Sequence, residues 1–315
     1  MRRAYVFPGQ GSQAVGMGKS LQLAFPEARE IFGEVDEALK QNLSRLMFDG
    51  PEEELTLTEN AQPALMAVSM AIIRILEKQG GVTMRDTARY VAGHSLGEYS
   101  ALAATESLKL SDAARLLKIR GQEMQKAVPV GIGAMAALIG LGLDDAVEVA
   151  AAAAGDSRVC STANDNAPGQ IVVSGHKEAV TKAIELAKER GAKRAIMLSV
   201  SAPFHCSLMQ PAADAVAAAL EDINISLPDV PVIANVSASS VSDPEKIRGL
   251  LVSQVTSMVR WRESVCLMGE SGVKTVVEVG TGKVLSGLTR RINRELETIN
   301  LEDPIDIEIF LDHTL

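Results

Sequence analysis

Aromatic residues are scarce in this chain: 3% of 315 positions, with one tryptophan, three tyrosines and six phenylalanines. Core volume must therefore come from Leu, Ile, Val, Met and Ala. The 47% hydrophobic content is enough for one large domain or two unequal ones. Basic charge is also short, since 31 Lys and Arg against 40 Asp and Glu leave a net charge of −9. That balance argues against a nucleic-acid binder, which needs a basic field. An acidic protein partner would need a local basic patch. The three cysteines, Cys160, Cys206 and Cys266, are odd in number, widely spaced and without metal-ligand pattern. A disulfide framework is not expected, and a reducing compartment fits.

Long apolar runs are missing too. The N-terminal stretch Met1 to Phe7 carries two arginines and is broken at once by Pro8-Gly9, so it does not read as a signal peptide. Ala127 to Leu143 is free of charge over 17 positions, but it contains Pro129, Gly131, Gly133, Gly140 and Gly142. It falls short of the ~20 apolar residues that a spanning helix needs. A glycine-rich loop entering a buried strand describes it better. The expectation is a soluble, cytoplasmic protein.

What is present is an alternation of short apolar runs with helical patterns. Ala4–Phe7, Tyr90–Ala92, Val230–Val236 and Lys274–Val279 read as strands. Pro63–Gln79 and Ser111–Lys126 read as helices, the first with Pro63 in its first turn and the second with Ser111 as N-cap. This alternation predicts an α/β sheet with helices on both faces. In the middle, Ala134–Leu141 (β), Asp144–Ala154 (α), Gln170–Ser174 (β), Lys177–Arg190 (α) and Arg194–Val200 (β) form a compact series that fits an inserted α+β subdomain. The acidic tail after Glu295 reads as loosely attached.

Gly93-His94-Ser95-Leu96-Gly97 lies between the strand Tyr90–Ala92 and a helix-prone run. This is the strand–turn–helix context of a nucleophile elbow, and the backbone N–H of Leu96 is a natural oxyanion donor there. The bland alternative is a βα turn whose serine caps the helix. His94 is adjacent, but neighbouring side chains on such a turn diverge. Of the four histidines, His176 and His313 read as surface residues. His205, in Pro203-Phe204-His205-Cys206, is open to two readings, a base or a packed histidine, and Cys206 reads as a small packed residue. Arg120 falls on the apolar stripe of its helix, with Leu116 and Met124. A buried guanidinium needs a carboxylate, so periodicity alone favours an internal salt bridge or a snorkelling side chain. Gly280-Thr281-Gly282-Lys283 does not match the spacing of a phosphate loop.

With Gly93-His94-Ser95-Leu96-Gly97-Glu98, several further motifs stand in order along nearly the whole chain: Phe7-Pro8-Gly9-Gln10-Gly11-Ser12-Gln13, Arg120-Gly121-Gln122, Asn164-Asp165-Asn166-Ala167-Pro168-Gly169-Gln170, Pro203-Phe204-His205 and Glu278-Val279-Gly280. In these the sequence resembles bacterial malonyl-CoA:acyl carrier protein transacylases and the related acyltransferase domains of fatty-acid and polyketide synthases. The resemblance implies an α/β fold with an α/β-hydrolase-like large subdomain on a parallel-rich sheet, residues 1–127 and 201–315. It implies a small ferredoxin-like α+β subdomain inserted at 128–200. It implies Ser95 as nucleophile, His205 as general base and the main-chain carbonyl of Gln254, near a helix end, as the imidazole's partner, with the Gln254 side chain of lesser importance. It also implies that the N–H groups of Gln10 and Leu96 hold the oxyanion and that Arg120 grips the malonyl carboxylate. Phe204 is associated with malonyl rather than methylmalonyl in related synthase domains, and many relatives carry proline at the position of Thr281. Asn164 and Asn166 are implied to line the cleft toward the pantetheine arm, with a plain turn as the competing reading. The partners implied are malonyl-CoA, as a substrate, and acyl carrier protein. No metal, bound cofactor, nucleic acid or membrane is expected, and the protein is expected to be monomeric. Lys283, Arg290 and Arg291 form a basic cluster that suits either carrier docking or a solvated face. A serine esterase or thioesterase and a non-catalytic docking module are the rival functions.

Overall fold

The computed structural model describes residues 3–313; Met1 and Arg2, at the start of the N-terminal stretch analysed above, lie outside the described residues. Among the described residues ten strands form two sheets. The larger holds β1 (Arg3–Phe7), β2 (Ala88–Gly93), β7 (Val232–Ala234), β8 (Ser239–Val241), β9 (Thr275–Val279) and β10 (Glu297–Leu301), in the order β10-β9-β1-β2-β7-β8. All its pairings are parallel except β7 with β8. β1 is buried along its full length. A run apolar on both faces is what a parallel strand covered by helices on each side requires. Tyr5 and Phe7 join the core on one face, while Ala4 and Val6 join a second core around Trp261 on the other.

The smaller sheet holds β3 (Gly133–Ile139), β4 (Cys160–Ala167), β5 (Gln170–His176) and β6 (Arg194–Met197), in the order β4-β5-β3-β6, with the helices Leu143–Ala154 and Lys177–Glu189. This β-α-β-β-α-β series with antiparallel pairing is the split βαβ, ferredoxin-like arrangement. Side chains alternate across its strands. Ala134, Ala136 and Leu138 of β3, with Ile171 and Val173 of β5, pack on the two helices. Met135 and Val172 point the other way, into the main core.

Three readings need correction. β4 covers a stretch for which a plain turn was the competing reading. Its polar residues Asn164, Asp165 and Asn166 form a strand because each finds a partner across the subdomain junction. Asp165 N–H donates to the Val259 carbonyl at 2.9 Å, Val259 N–H donates to the Ala163 carbonyl at 2.9 Å, and Arg262 reaches the Asp165 carboxylate at 2.8 Å. The tail after Glu295 is not loose: β10 adds to the sheet beside β9, and the helix Pro304–Asp312 opens with a reciprocal cap between Asp303 and Asp306 and buries Ile307 and Phe310. Helix starts also moved. The first long helix runs Thr58–Gly80 with Pro63 inside it, and the arginine-bearing helix runs Leu110–Lys126 after Lys109, with no side-chain cap from Ser111. No helix of the described residues is long and apolar enough to cross a membrane.

Candidate active site

β1 and β2 lie side by side with Phe7 opposite Gly93, so the turns that follow them emerge together at the C-terminal ends of parallel strands. His94 N–H donates to the Phe7 carbonyl at 3.0 Å, which ties the two turns at their root. The Ser95 turn is compressed. A Cβ on Gly93 would stand 1.9 Å from the carbonyl carbon of Gly97, and one on Gly97 would stand 2.2 Å from the Phe7 carbonyl oxygen. Ser95 itself takes the left-handed region at φ 53. Such a backbone persists in a non-glycine residue only where its surroundings over-determine it. Gly97→Ala is expected to lower stability by roughly 1–3 kcal/mol, the usual range for overpacking. A denaturant unfolding curve reads this, and an unchanged midpoint would show that the turn can open without cost.

His205 reaches the same place from the other side of the chain. It follows Pro203-Phe204, stands at φ 59 and is buried. Its Nε2 lies 2.8 Å from the Ser95 hydroxyl, and its Nδ1 lies 2.9 Å from the main-chain carbonyl of Gln254. A carbonyl only accepts, so Nδ1 carries the proton and Nε2 is left to accept from the serine. Burial, and secondarily the charge of Arg120, push the imidazole down to about 3. It is therefore neutral, and able to take a proton, throughout the neutral range.

Arg120 completes the cluster. It is 1% exposed, and its NH2 donates to the Ser95 hydroxyl at 3.0 Å and to Gln254 Oε1 at 3.0 Å, while NH1 donates to Gln62 Oε1 at 2.7 Å. The carboxylate partner expected from its burial is not there: among the described residues Arg120 forms no salt bridge. Two neutral amides hold it in place, and its charge stays available to an incoming anion. Gln254 also differs from expectation. It is fully buried, and its side chain, set aside in the sequence reading, bonds Arg120, the Ser95 carbonyl and Glu98.

A cavity of about 270 Å³ lies between the two sheets. Ser95, Leu96, His205, Arg120 and Gln10 line it from the large subdomain's side, and Asn164 and Asn166 of β4 face them, with Phe204 beside the imidazole. Gln254 sits behind this lining. The N–H groups of Gln10 and Leu96 make no hydrogen bond among the described residues, whereas those of Ser95 and Gly97 are engaged by Asn235 and His94. His94 turns away from the hydroxyl: its Nε2 pairs with Asn166 Oδ1 at 2.9 Å and its ring packs on Trp261. His313 is exposed; His176 is half-buried and accepts the Val159 N–H at 2.8 Å. Cys206 is buried, its thiol bonded to the Pro203 carbonyl at 3.2 Å. Lys283, Arg290 and Arg291 are exposed, but Arg290 bonds Thr298 and Arg291 bonds Gln170, so part of that cluster is internally engaged.

Sequence reasoning missed Gln62, Glu98 and Asn235. Glu98 and Asn235 had a visible signal, a polar side chain inside a largely apolar run, whereas Gln62 follows the polar Glu59 and Asn60 and had none. For Glu98 that run is the short helix Gly97–Ala104, every residue of which is buried.

A hydroxyl bonded to a neutral imidazole, two free N–H groups across the cavity and an unpaired cation on one wall are the parts that acyl transfer requires. Fold and site together define the class, an acyltransferase. The chain belongs to the acyl transferase domain family, whose model matches residues 4–300. It is 47% identical to the malonyl CoA-acyl carrier protein transacylase of Bacillus subtilis over 306 residues, 97% of this chain and 95% of that one. The crystal structure of an acyl-carrier-protein S-malonyltransferase from Bartonella henselae superposes with a TM-score of 0.96 at 54% identity, covering 99% of both chains. A malonyl-transacylase solved in complex with a type II polyketide synthase acyl-carrier protein superposes with a TM-score of 0.95 at 42% identity, covering all of both chains.

Proposed function

We propose that this protein transfers a malonyl group from malonyl-CoA to the phosphopantetheine thiol of an acyl carrier protein, through an acyl-serine intermediate. The observation that carries this reading is the meeting of three groups at one hydroxyl: Ser95 Oγ lies 2.8 Å from His205 Nε2 and 3.0 Å from Arg120 NH2. In the first half-reaction His205 takes the serine proton as Oγ attacks the thioester carbonyl. The negative charge that develops on the carbonyl oxygen is met by the N–H groups of Gln10 and Leu96. The C–S bond breaks, the proton on Nε2 passes to the departing coenzyme A thiol, and malonyl remains esterified to Ser95. The Gln254 carbonyl holds the imidazole tautomer throughout. In the second half-reaction the carrier's thiol gives its proton to His205 and attacks the ester, and the serine recovers its hydrogen.

Arg120 fixes the free carboxylate of malonyl by a charge-assisted contact suited to a planar guanidinium. Phe204 and the strand-borne Asn164 and Asn166 shape the cleft for the acyl group and the pantetheine arm. In this reading residues 1–127 and 201–315 form the catalytic subdomain and 128–200 the wall that covers it. Coenzyme A enters as a substrate, no metal or bound cofactor takes part, and the enzyme works as a cytoplasmic monomer in fatty-acid biosynthesis. The relatives named above, malonyl transacylases throughout, support the substrate and the carrier.

Intact-mass measurement tests the scheme. Mixed with malonyl-CoA alone, the protein is expected to gain one malonyl group, mapped to the peptide holding Ser95, and to lose it when holo carrier protein is added. Release of free malonate as fast as coenzyme A, with no malonyl on the carrier, would instead identify a hydrolase.

A further inference from the structure

Glu98 is left unused by the chemistry above, although it is 2% exposed and has no salt-bridge partner among the described residues. Its Oε2 accepts the Asn235 N–H at 2.9 Å and the Gln254 Nε2 at 2.9 Å. Those two residues hold the main chain around the nucleophile. Asn235 accepts the Ser95 N–H on Oδ1 at 2.7 Å and donates from Nδ2 to the Gly93 carbonyl at 2.7 Å. Gln254 donates from Nε2 to the Ser95 carbonyl at 3.0 Å. At its other end it accepts from Arg120, and its own carbonyl receives His205 Nδ1.

The sense of the Gln254 amide is dictated by charge. A guanidinium has only donors, and an ionised carboxylate has only acceptors. The amide oxygen must therefore face Arg120 and the amide nitrogen must face Glu98; reversing it would set donors against donors and acceptors against acceptors in a buried place. The same carboxylate is the counter-charge of Arg120, one amide away, close enough to steady the cation and too far to occupy the edge that an anion would use.

We propose that Glu98 is a positioning residue for acyl transfer: acting through Gln254 and Asn235, its ionised carboxylate holds the Ser95 turn, His205 and Arg120 in the one arrangement in which the serine is acylated. This rests on the acyl-serine reading given above. It accounts for two non-glycine residues in the left-handed region, Ser95 and His205, which need a rigid surround.

A pH signature follows. Burial raises the Glu98 carboxyl to about 7, opposed by the Asn235 N–H, the Gln254 amide and the charge of Arg120. The other titratable groups around the network are Tyr99 on its own helix, pushed up to about 12, His205, pushed down to about 3, and His94, lowered by burial. Near neutrality Arg120 from the helix Leu110–Lys126 is the charged one among them, and the turn after β7 and the helix Pro244–Gln254 contribute only the neutral Asn235 and Gln254. As pH falls through neutrality Glu98 takes up a proton, ceases to be acceptor-only and releases the clamp, while His205 stays neutral.

Single-turnover acylation of the full chain by malonyl-CoA, followed by intact mass across neutral pH, tests this. The wild-type rate is expected to fall on the acid side with one inflection near neutrality. Glu98→Gln is expected to acylate roughly 10- to 100-fold more slowly, the worth of one hydrogen bond to a charged group, with little change in KM and no acid limb. Combined with Gln254→Ala it is expected to slow acylation by less than the product of the two single effects, because one of its two routes to the serine turn runs through that amide. A Glu98→Gln protein that acylates at the wild-type rate, or that keeps the acid limb, overturns the proposal, as do multiplying effects in the double variant. Should Glu98→Gln fail to fold, a wild-type rate that is flat through neutrality overturns it equally. Failure of the wild type to form any acyl-enzyme would sink the acyl-serine reading instead.

Discussion

Ser95→Ala is expected to abolish the malonyl adduct and to reduce transfer to carrier by about 10⁶-fold, the scale on which loss of a paired serine nucleophile is felt. The loss should be chemical and not structural. Among the described residues the Ser95 hydroxyl bonds only His205 and Arg120, whereas the turn is held by main-chain contacts to Asn235, Gln254 and Phe7. His205→Ala should leave the hydroxyl present and slow acylation by about 10²–10⁴-fold, the range for losing a positioned general base. Because the imidazole is held neutral by burial, wild-type activity should not be limited by its protonation at any pH near neutrality. Intact mass after seconds and after hours separates the two variants: none of the former should acylate, and the latter should do so slowly. Equal adducts on Ser95→Ala and wild type would place the nucleophile elsewhere.

The parts of this site that the sequence announced are those whose constraint is local. The Ser95 turn was legible because two glycines are demanded by contacts within five residues and by the adjoining strand, and a buried strand before a helix leaves little other use for them. Arg120 was legible as a buried cation from its place on the helix stripe. Its partners were not, because Gln62, Gln254 and Ser95 come from three other segments, and elementary electrostatics pointed to a carboxylate where the fold supplies amides. The pairing of Ser95 with His205 joins residues 110 positions apart, and only the family resemblance singled out that histidine. β4 went unassigned in the sequence for a related reason. Asn164, Asp165 and Asn166 have turn-like propensity, and tertiary partners across the junction override it. The tail after Glu295 was misread through its charge, since the acidic residues there cap a helix that buries Ile307 and Phe310.

Arg120→Met should invert acyl preference. Methionine keeps most of the side-chain volume in the buried stripe while removing the cation, so the cavity wall stays filled. A malonyl carboxylate then enters an apolar recess without its partner. Hydrogen bonds to a charged group are each worth ~1.5–3 kcal/mol, so losing a two-pronged contact should slow malonyl loading by roughly 10³-fold. Acetyl loading should suffer far less, because an acetyl group has no charge for Arg120 to meet. It will not be untouched, since the guanidinium also donates to the Ser95 hydroxyl and steadies the Gln254 amide. The informative quantity is therefore the ratio of malonyl to acetyl loading in a competition read by intact mass, in which the common loss cancels. A ratio that falls by two orders of magnitude or more is the expected result. A ratio equal to that of the wild type would mean that Arg120 serves the hydroxyl and the amide alone, and that the anion is held by some other group.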